Sequence, residues 1–392
     1  MCERLTSLAK MGYDTRVTGH VTGHTHQISP NLEEMGLPRS SVTIRDVAAH
    51  AGVSHQTVSR VINGNERVTP ETKSRVEAAI AVLGFFPNAA ARSMARGRTM
   101  TLACISPNLT DYTFARIIEG AERMCREHGY YLVSTSAGDE ATFASIIDEL
   151  LSTRRVEGLL VINPYSDSRH MLIPESAPVV YVGARPRREP VSSVALDDVA
   201  TGAAATEHLL SLGHRTIGVI TGPMVEDCSQ DRLQGYRSAL EMHDVTLDLD
   251  IIVEGDWSAS SGHAAVTRLA EDAGLPSALF AQNDQMAVGA IHAARELGMK
   301  IPDDLAVIGV DDMPLASYFD PPLTTMRQDL LEIGRQAAEL LLLAVGTPGT
   351  PGEHQLLPAE LVVRGTTAPN SERGGVLAKY VYDTSKDPGQ LF

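Results

Sequence analysis

Residues 43–99 read TIRDVAAHAGVSHQTVSRVINGNERVTPETKSRVEAAIAVLGFFPNAAARSMARGRT, and the punctuation of this stretch lays out its helices. Thr43, followed three residues later by Asp46, has capping-box spacing: hydroxyl and carboxylate each satisfy an otherwise orphan amide of the first turn. Val47, Ala48 and Ala51 recur at helical spacing, Gly52 breaks the helix, and Ser54 is placed to cap a second one from His55 to about Ile62. Asn63-Gly64-Asn65 ends it. Thr69 caps a third helix, with Pro70 at its first position and Glu71 near its positive end; Val76, Ile80 and Leu83 form the apolar stripe and Gly84 closes it. Three short helices with a tight glycine turn between the first two predict a helix-turn-helix unit.

Working outward, Phe85-Phe86-Pro87 reads as a linker, and Asn88 is placed to cap a very short helix, Ala89 to Ala95, stopping at Gly97. So short a helix is marginal alone and is expected to order only against a partner. From Met100 the pattern changes. Leu102–Ser106, Leu132–Ser136, Gly158–Ile162, Val179–Val182, Thr216–Ile220, Ala278–Ala281 and Ala306–Val310 read as strands, with Phe114–His128, Thr201–Leu212 and Met286–Leu297 as helices between them. Such alternation over roughly 270 residues predicts an α/β body with parallel sheets. Its length favours two similar subdomains with a cleft at the carboxyl ends of the strands, where such folds bind ligands. Residues 1–40 are polar and aperiodic and read as a disordered extension; residues 368–392 read as a polar tail without a leucine heptad.

Composition narrows the class. The 392 residues are 43% hydrophobic and 21% charged, ordinary globular material. No apolar run approaches the roughly 18 residues of a membrane span, and Glu3, Arg4 and Lys10 are followed by no apolar stretch of a secretory signal. Cys2, Cys104, Cys125 and Cys228 are scattered without CxxC spacing, which reads as reduced thiols. A cytoplasmic location is expected. His20, His24 and His26 have no cysteine or acidic residue to complete a site, so no metal and no cofactor is expected. The net charge of −16 is unevenly spread: Val42 to Arg98 holds eight Lys or Arg against four Asp or Glu. A small basic module on a large acidic body suits a protein that touches a polyanion at one end.

Ser54 to Arg60, SHQTVSR, carries that contact. A recognition helix presents its leading side chains to base edges in the major groove. His55 and Gln56 stand there; Gln can pair with adenine through two hydrogen bonds, and Arg60, one turn on, with guanine. Thr43, Ser54, Thr57 and Ser59 are short hydroxyl residues suited to phosphate oxygens. Val58 and Val61 are left to face the helical core. The alternative is a polar helix surface without a partner.

Residues 43–99 resemble the headpiece and hinge of the LacI/GalR family of bacterial transcription regulators, and the resemblance continues to about Thr367. The text EGDWSA (254–259), NDQMA (283–287), PPLTT (321–325) and QLLP (355–358) is most like the lactose-repressor branch. What the resemblance implies is a helix-turn-helix headpiece (42–87), a hinge helix (88–98) and a periplasmic-binding-protein-like α/β core of two parallel-sheet subdomains (99–367) that senses ligand and dimerises. His55, Gln56 and Arg60 then take the major-groove positions, and Asn88, Ala91 and Met94 belong to the hinge that enters the minor groove as a pair. Met94 stands where leucine is usual; it is apolar and flexible, as a wedge between base steps must be. Arg92 and Arg96 beside it either follow phosphates or are solvated charges.

The same resemblance implies a neutral sugar or glycoside effector, and implies that Arg232, Asn283, Asp311 and Gln328 bind its hydroxyls while Trp257, the single tryptophan, packs on its ring. Sugars are held by planar polar groups and an aromatic face. Each has another reading: Asn283 caps the following helix, Asp311 finishes a strand, Trp257 fills the core. Two departures mark this chain. Leu330 replaces an aromatic residue of the branch, and Asp111, Tyr112 and Phe114 follow the first strand, so Asp111 and Phe114 join the candidate ligand set.

An enzyme is not expected. No GxGxxG follows the first strand, and no nucleophile stands near a base. A sugar-uptake binding protein shares the body but has no headpiece. The expected partners are pseudo-palindromic operator DNA, a small sugar or glycoside and a second copy of the chain. The expected function is a repressor released from its operator by that effector; an activator, or a corepressor-type regulator with a non-sugar ligand, stands as the alternative.

Overall fold

The computed structural model describes residues 42–64, 67–86, 98–183, 185–187, 190–272 and 274–367. The chain divides into two compact units, residues 1–89 and 90–392.

In the first unit, α1 (Ile44–Ala51), α2 (His55–Ile62) and α3 (Pro70–Leu83) form at the expected bounds. The Thr43 and Asp46 side chains make both bonds of the capping box, and Gly52 ends α1 with φ 64°, a left-handed conformation that favours glycine. Ser54 and Thr69 accept from the amides of Thr57 and Thr72 at the heads of α2 and α3. Val47, Ala48, Ala51, Val58, Val76, Ala79 and Phe85 make a small core, with Val61, Ile80 and Leu83 packed at its margin.

The second unit contains two six-stranded sheets. The first takes β1 (Thr101–Ser106), β2 (Tyr131–Ser136), β3 (Leu159–Ile162), β4 (Val179–Val182), β5 (Ser192–Leu196) and β11 (His354–Leu357), ordered β11-β5-β4-β3-β1-β2 and parallel throughout. The second takes β6 (Ile217–Thr221), β7 (Ile252–Glu254), β8 (Ala278–Ala281), β9 (Ala306–Asp311), β10 (Thr324–Arg327) and β12 (Glu360–Val362), ordered β12-β10-β9-β8-β6-β7, with β12 alone antiparallel. Both sheets thus repeat the order 2-1-3-4-5, which places a topological switch point between β1 and β3 and again between β6 and β8. The central strands are apolar runs buried along their length, as sheets covered on both faces require, whereas edge strand β2 is largely half-exposed or exposed.

Helices α4 (Tyr112–Glu127), α5 (Glu140–Ser152) and α10 (Leu330–Gly346) pack on the first sheet. Helices α6 (Asp198–Ser211), α7 (Asp227–Met242), α8 (Ala259–Asp272) and α9 (Asp284–Glu296) cover the second. The chain crosses between the sheets after β5, after β10 and between β11 and β12, so neither subdomain is one continuous segment. The two-subdomain α/β body is as expected; β5, β7, β10, β11, β12 and helices α5, α7, α8 and α10 were not singled out by the sequence pattern. Cys104, Cys125 and Cys228 are free thiols, and burial pushes the first two up to about 12 and about 11.

Candidate functional site

On the headpiece, His55, Gln56 and Arg60 are exposed on one side of α2, while Val58 is fully buried on the other. Ser54 is committed to the cap and to a 2.9 Å bond with the Thr57 hydroxyl, and the Thr43 hydroxyl donates to Asp46 at 2.7 Å. Thr57 and Ser59 are half-buried. The cap therefore orients the leading turn of α2 and leaves its three largest polar side chains free for a groove. Asn88, Ala91 and Met94 lie outside the described residues.

In the second unit, a cavity of about 330 Å³ opens where the strand ends of both sheets meet. Asp111, Phe114, Arg232, Trp257, Asn283, Asp311 and Gln328 all line it. They come from six different segments: the start of α4, the body of α7, the turn after β7, the start of α9, the end of β9 and the end of β10.

Arg232 anchors the polar wall. Its Nε donates to Asp198 at 2.7 Å and its Nη1 to the Gln282 carbonyl, with side chains 7% and 11% exposed for the pair. Burial works against its charge, but Asp198 outweighs this and keeps the guanidinium firmly protonated. Two glycines allow the tight crossing of α6 and α7 that brings the pair together: a Cβ on Gly202 would stand 2.1 Å from the Arg232 carbonyl oxygen, and one on Gly235 2.0 Å from that of Val199. The guanidinium also lies 5.8 Å from the Trp257 ring, within cation–π range.

Trp257 is half-buried against the core of the second subdomain, and it also lines the cavity. Its φ of 71° is unusual for a bulky residue. Gly222 makes room, since a Cβ there would fall 2.0 Å from the indole. Asn283 likewise does two things. Its Oδ1 caps α9 by accepting from Met286, and its Nδ2 donates to the Trp257 carbonyl at 2.9 Å. Asp311 sits at φ 118°, accepts from Gln328 Nε2 at 2.7 Å, and is held well above the usual carboxylate range by burial and by nearby Asp284. Two cavity residues in sparsely populated backbone conformations is the pattern expected where a site imposes geometry on the chain. Asp111 caps α4 through Thr113 and Phe114 and still faces the cavity.

Glu226 had no sequence signal, yet its carboxylate accepts from Trp257 Nε1 at 3.1 Å inside the cavity. Burial pushes it up to about 7, against the pull of Trp257 and Arg232. Asp198, Tyr165 and Gln285 also line the cavity without having been marked, and Asn108 at the end of the first strand faces it as expected. Acidic groups thus outnumber Arg232, a lining rich in acceptors for ligand hydroxyls.

At the rim, Asp227 ties the subdomains together. Ser166 donates to it at 2.6 Å, Arg187 pairs with it at 2.7 Å, and the Arg185 amide donates at 3.1 Å. Backbone bonds from Ser166 to Val225 and from Asp227 to Pro164 complete the clasp.

Comparison with known proteins supplies the context. Residues 43–88 match the model of the bacterial regulatory proteins of the lacI family, and residues 206–367 that of a periplasmic binding protein-like domain. The chain is 32% identical over 333 residues to the HTH-type transcriptional repressor CytR of Escherichia coli K12, spanning 84% of this chain and 97% of that one. Among solved structures it resembles the Lac repressor dimer bound to operator and the anti-inducer ONPF (TM-score 0.79, 30% identity, 84% of this chain and 100% of that one). It also resembles a CelR–cellobiose complex (TM-score 0.65, 33% identity, 83% and 99%).

Proposed function

The chain belongs to the lacI family of bacterial transcription regulators and is a DNA-binding regulator responsive to a small molecule; from that premise we propose a repressor that a small sugar or glycoside releases from a pseudo-palindromic operator. The convergence of Arg232, Trp257, Asn283, Asp311 and Gln328 on one cavity carries the sensing half of this proposal. Planar polar groups beside an indole fit a hydroxylated ring, and the CelR relative is a complex with cellobiose.

In this proposal residues 42–87 form the headpiece, 88–98 the hinge and 99–367 the sensing and dimerising body. The headpieces of a homodimer read two half-sites, with His55, Gln56 and Arg60 at base edges and Thr43, Ser54, Thr57 and Ser59 along phosphates. Asn88, Ala91 and Met94 hold the centre of the site. Ligand closes the cleft, shifts the first subdomains and separates the hinges, a population shift that needs a coupling of about 1–3 kcal/mol. The chain works in the cytoplasm and catalyses nothing: Arg232 and Asn283 are tied into the scaffold, so they bind and orient. Among the described residues no helix is long and apolar enough to cross a membrane.

Selection of random duplexes by the full chain, sequenced with and without lactose, galactose and cellobiose, tests both halves. Enrichment of a symmetric site, lost with one sugar, is expected. A site strengthened by the sugar points to corepression. Enrichment of no site sinks the DNA-reading role of α2, and a site indifferent to every sugar sinks the effector class.

A further inference from the structure

Away from the cavity, the second subdomain carries a side-chain cluster that operator release does not use. His263 stands on α8, directly after Gly262, while His292 and Glu296 stand one turn apart on α9. These helices meet backbone to backbone. A Cβ on Gly262 would lie 2.1 Å from the Met286 carbonyl oxygen, and one on Gly289 would lie 1.8 Å from that of Ala259. The close crossing brings the two imidazoles to a centroid distance of 5.7 Å, tilted by 44°. Glu296 bridges them: His263 Nε2 is 2.7 Å from one carboxylate oxygen and His292 Nε2 is 3.3 Å from the other. One ligand atom from each of the three residues falls within 4.8 Å of the others.

We propose that His263, His292 and Glu296 form a zinc-type transition-metal site, with a fourth position left to water or to a donor from another molecule. Tetrahedral zinc, with bonds of about 2.0–2.2 Å, needs donors roughly 3.3–3.5 Å apart, so small side-chain rotations from the present arrangement suffice. Two imidazoles and one carboxylate suit zinc, nickel or copper and not the hard cations magnesium and calcium. The side chains are 36%, 68% and 57% exposed, so an ion enters without any opening of the fold. Two ligands share one face of one helix and the third comes from a helix fixed to it by backbone contact, which is the preorganisation a metal site requires. This departs from the sequence-based expectation of no metal, because residues 263 and 292 are brought together only by the helix crossing. The bound ion cross-links the two helices whose leading ends hold Trp257 and Asn283 at the cavity.

The test uses the untagged full-length chain with His20, His24 and His26 changed to Asn, titrated with Co²⁺ and followed by its visible d–d absorption. One Co²⁺ per chain is expected, displaced by Zn²⁺, with Zn²⁺ raising the thermal midpoint. His263→Ala, His292→Ala and Glu296→Gln should each weaken Co²⁺ binding by at least the roughly ten- to hundredfold that loss of even an outer-shell partner costs. Their metal-free circular dichroism should match the parent's, since His292 and Glu296 are exposed and His263 is only half-buried. A parent that takes up no Co²⁺ at 100-fold molar excess, or variants that bind as the parent does, would overturn the assignment.

Discussion

The indole Nε1 of Trp257 donates to the carboxylate of Glu226 across 3.1 Å, so the single tryptophan of the chain reports on a buried acid inside the cavity. Burial holds Glu226 at about 7, against an ordinary value of 4.5. The sign of the linkage is fixed by this. Between pH 4.5 and 7 the unfolded chain has lost the proton that the folded chain keeps, so stability is full below the window and falls across it. Glu226→Gln keeps an oxygen for Trp257 and removes the titration. The variant should gain on the parent through that window, by on the order of 3 kcal/mol at most, and hold its advantage above it. Asp284, also pushed up to about 7 by burial, is present in both proteins and drops out of the difference. Thermal midpoints measured from pH 4.5 to 8 check this; parallel curves would show that Glu226 is not the titrating group.

Arg232→Ala removes the partner of Asp198 from a place where both side chains are nearly buried. The carboxylate left behind has no solvent to compensate it, and a loss of about 3–5 kcal/mol in urea unfolding is expected. Arg232→Ala with Asp198→Asn should recover part of that loss. If the double substitution is as unstable as the sum of the two singles, the pair is not coupled and its place in the cavity wall must be explained otherwise.

Local rules and global contacts were unequally legible in the sequence. The caps at Thr43, Ser54 and Thr69 and the stop at Gly52 are short-range chemistry, and α1, α2 and α3 follow them to the residue. Strands β1, β3, β4, β6, β8 and β9 announced themselves as apolar runs because they are buried along their length, whereas β5 and β10 are interior strands that begin with Ser and Thr pairs. Strands β7 and β12 have three residues each and no such run. In the cavity, the resemblance led to Arg232 and Trp257, but nothing local marks Asp198 or Glu226. Each acts through a partner more than 30 residues away, 34 for Asp198 to Arg232 and 31 for Glu226 to Trp257, joined only by the packing of the second sheet.

Asp227 holds the cleft rim through Ser166, Arg187 and the Arg185 amide. Asp227→Asn keeps the volume and gives up the charge on which Arg187 depends. The Ser166 and Asp227 amides, bonded across the rim to Val225 and Pro164, should then exchange with deuterium faster, by about tenfold for each 1.4 kcal/mol of lost closure. Exchange in the strands of either sheet should stay as it was. Unchanged rim protection would mean that the backbone bonds alone keep the subdomains together.

Gln56 and Thr43 should part company in DNA binding, because one side chain is free and the other is occupied. Gln56 is exposed at the head of α2, whereas the Thr43 hydroxyl is bonded to Asp46. Gln56→Ala should therefore relax base preference at one operator position, costing about 1–3 kcal/mol there, with the slope of affinity against salt unchanged. Thr43→Ala should instead cost about 1 kcal/mol of headpiece stability through the lost capping box and weaken all sequences alike. Sequencing of selected sites at two salt concentrations, with thermal unfolding alongside, separates the two. If Gln56→Ala lowers affinity uniformly across sequences, that glutamine touches phosphate, and the base-reading role falls to His55 and Arg60.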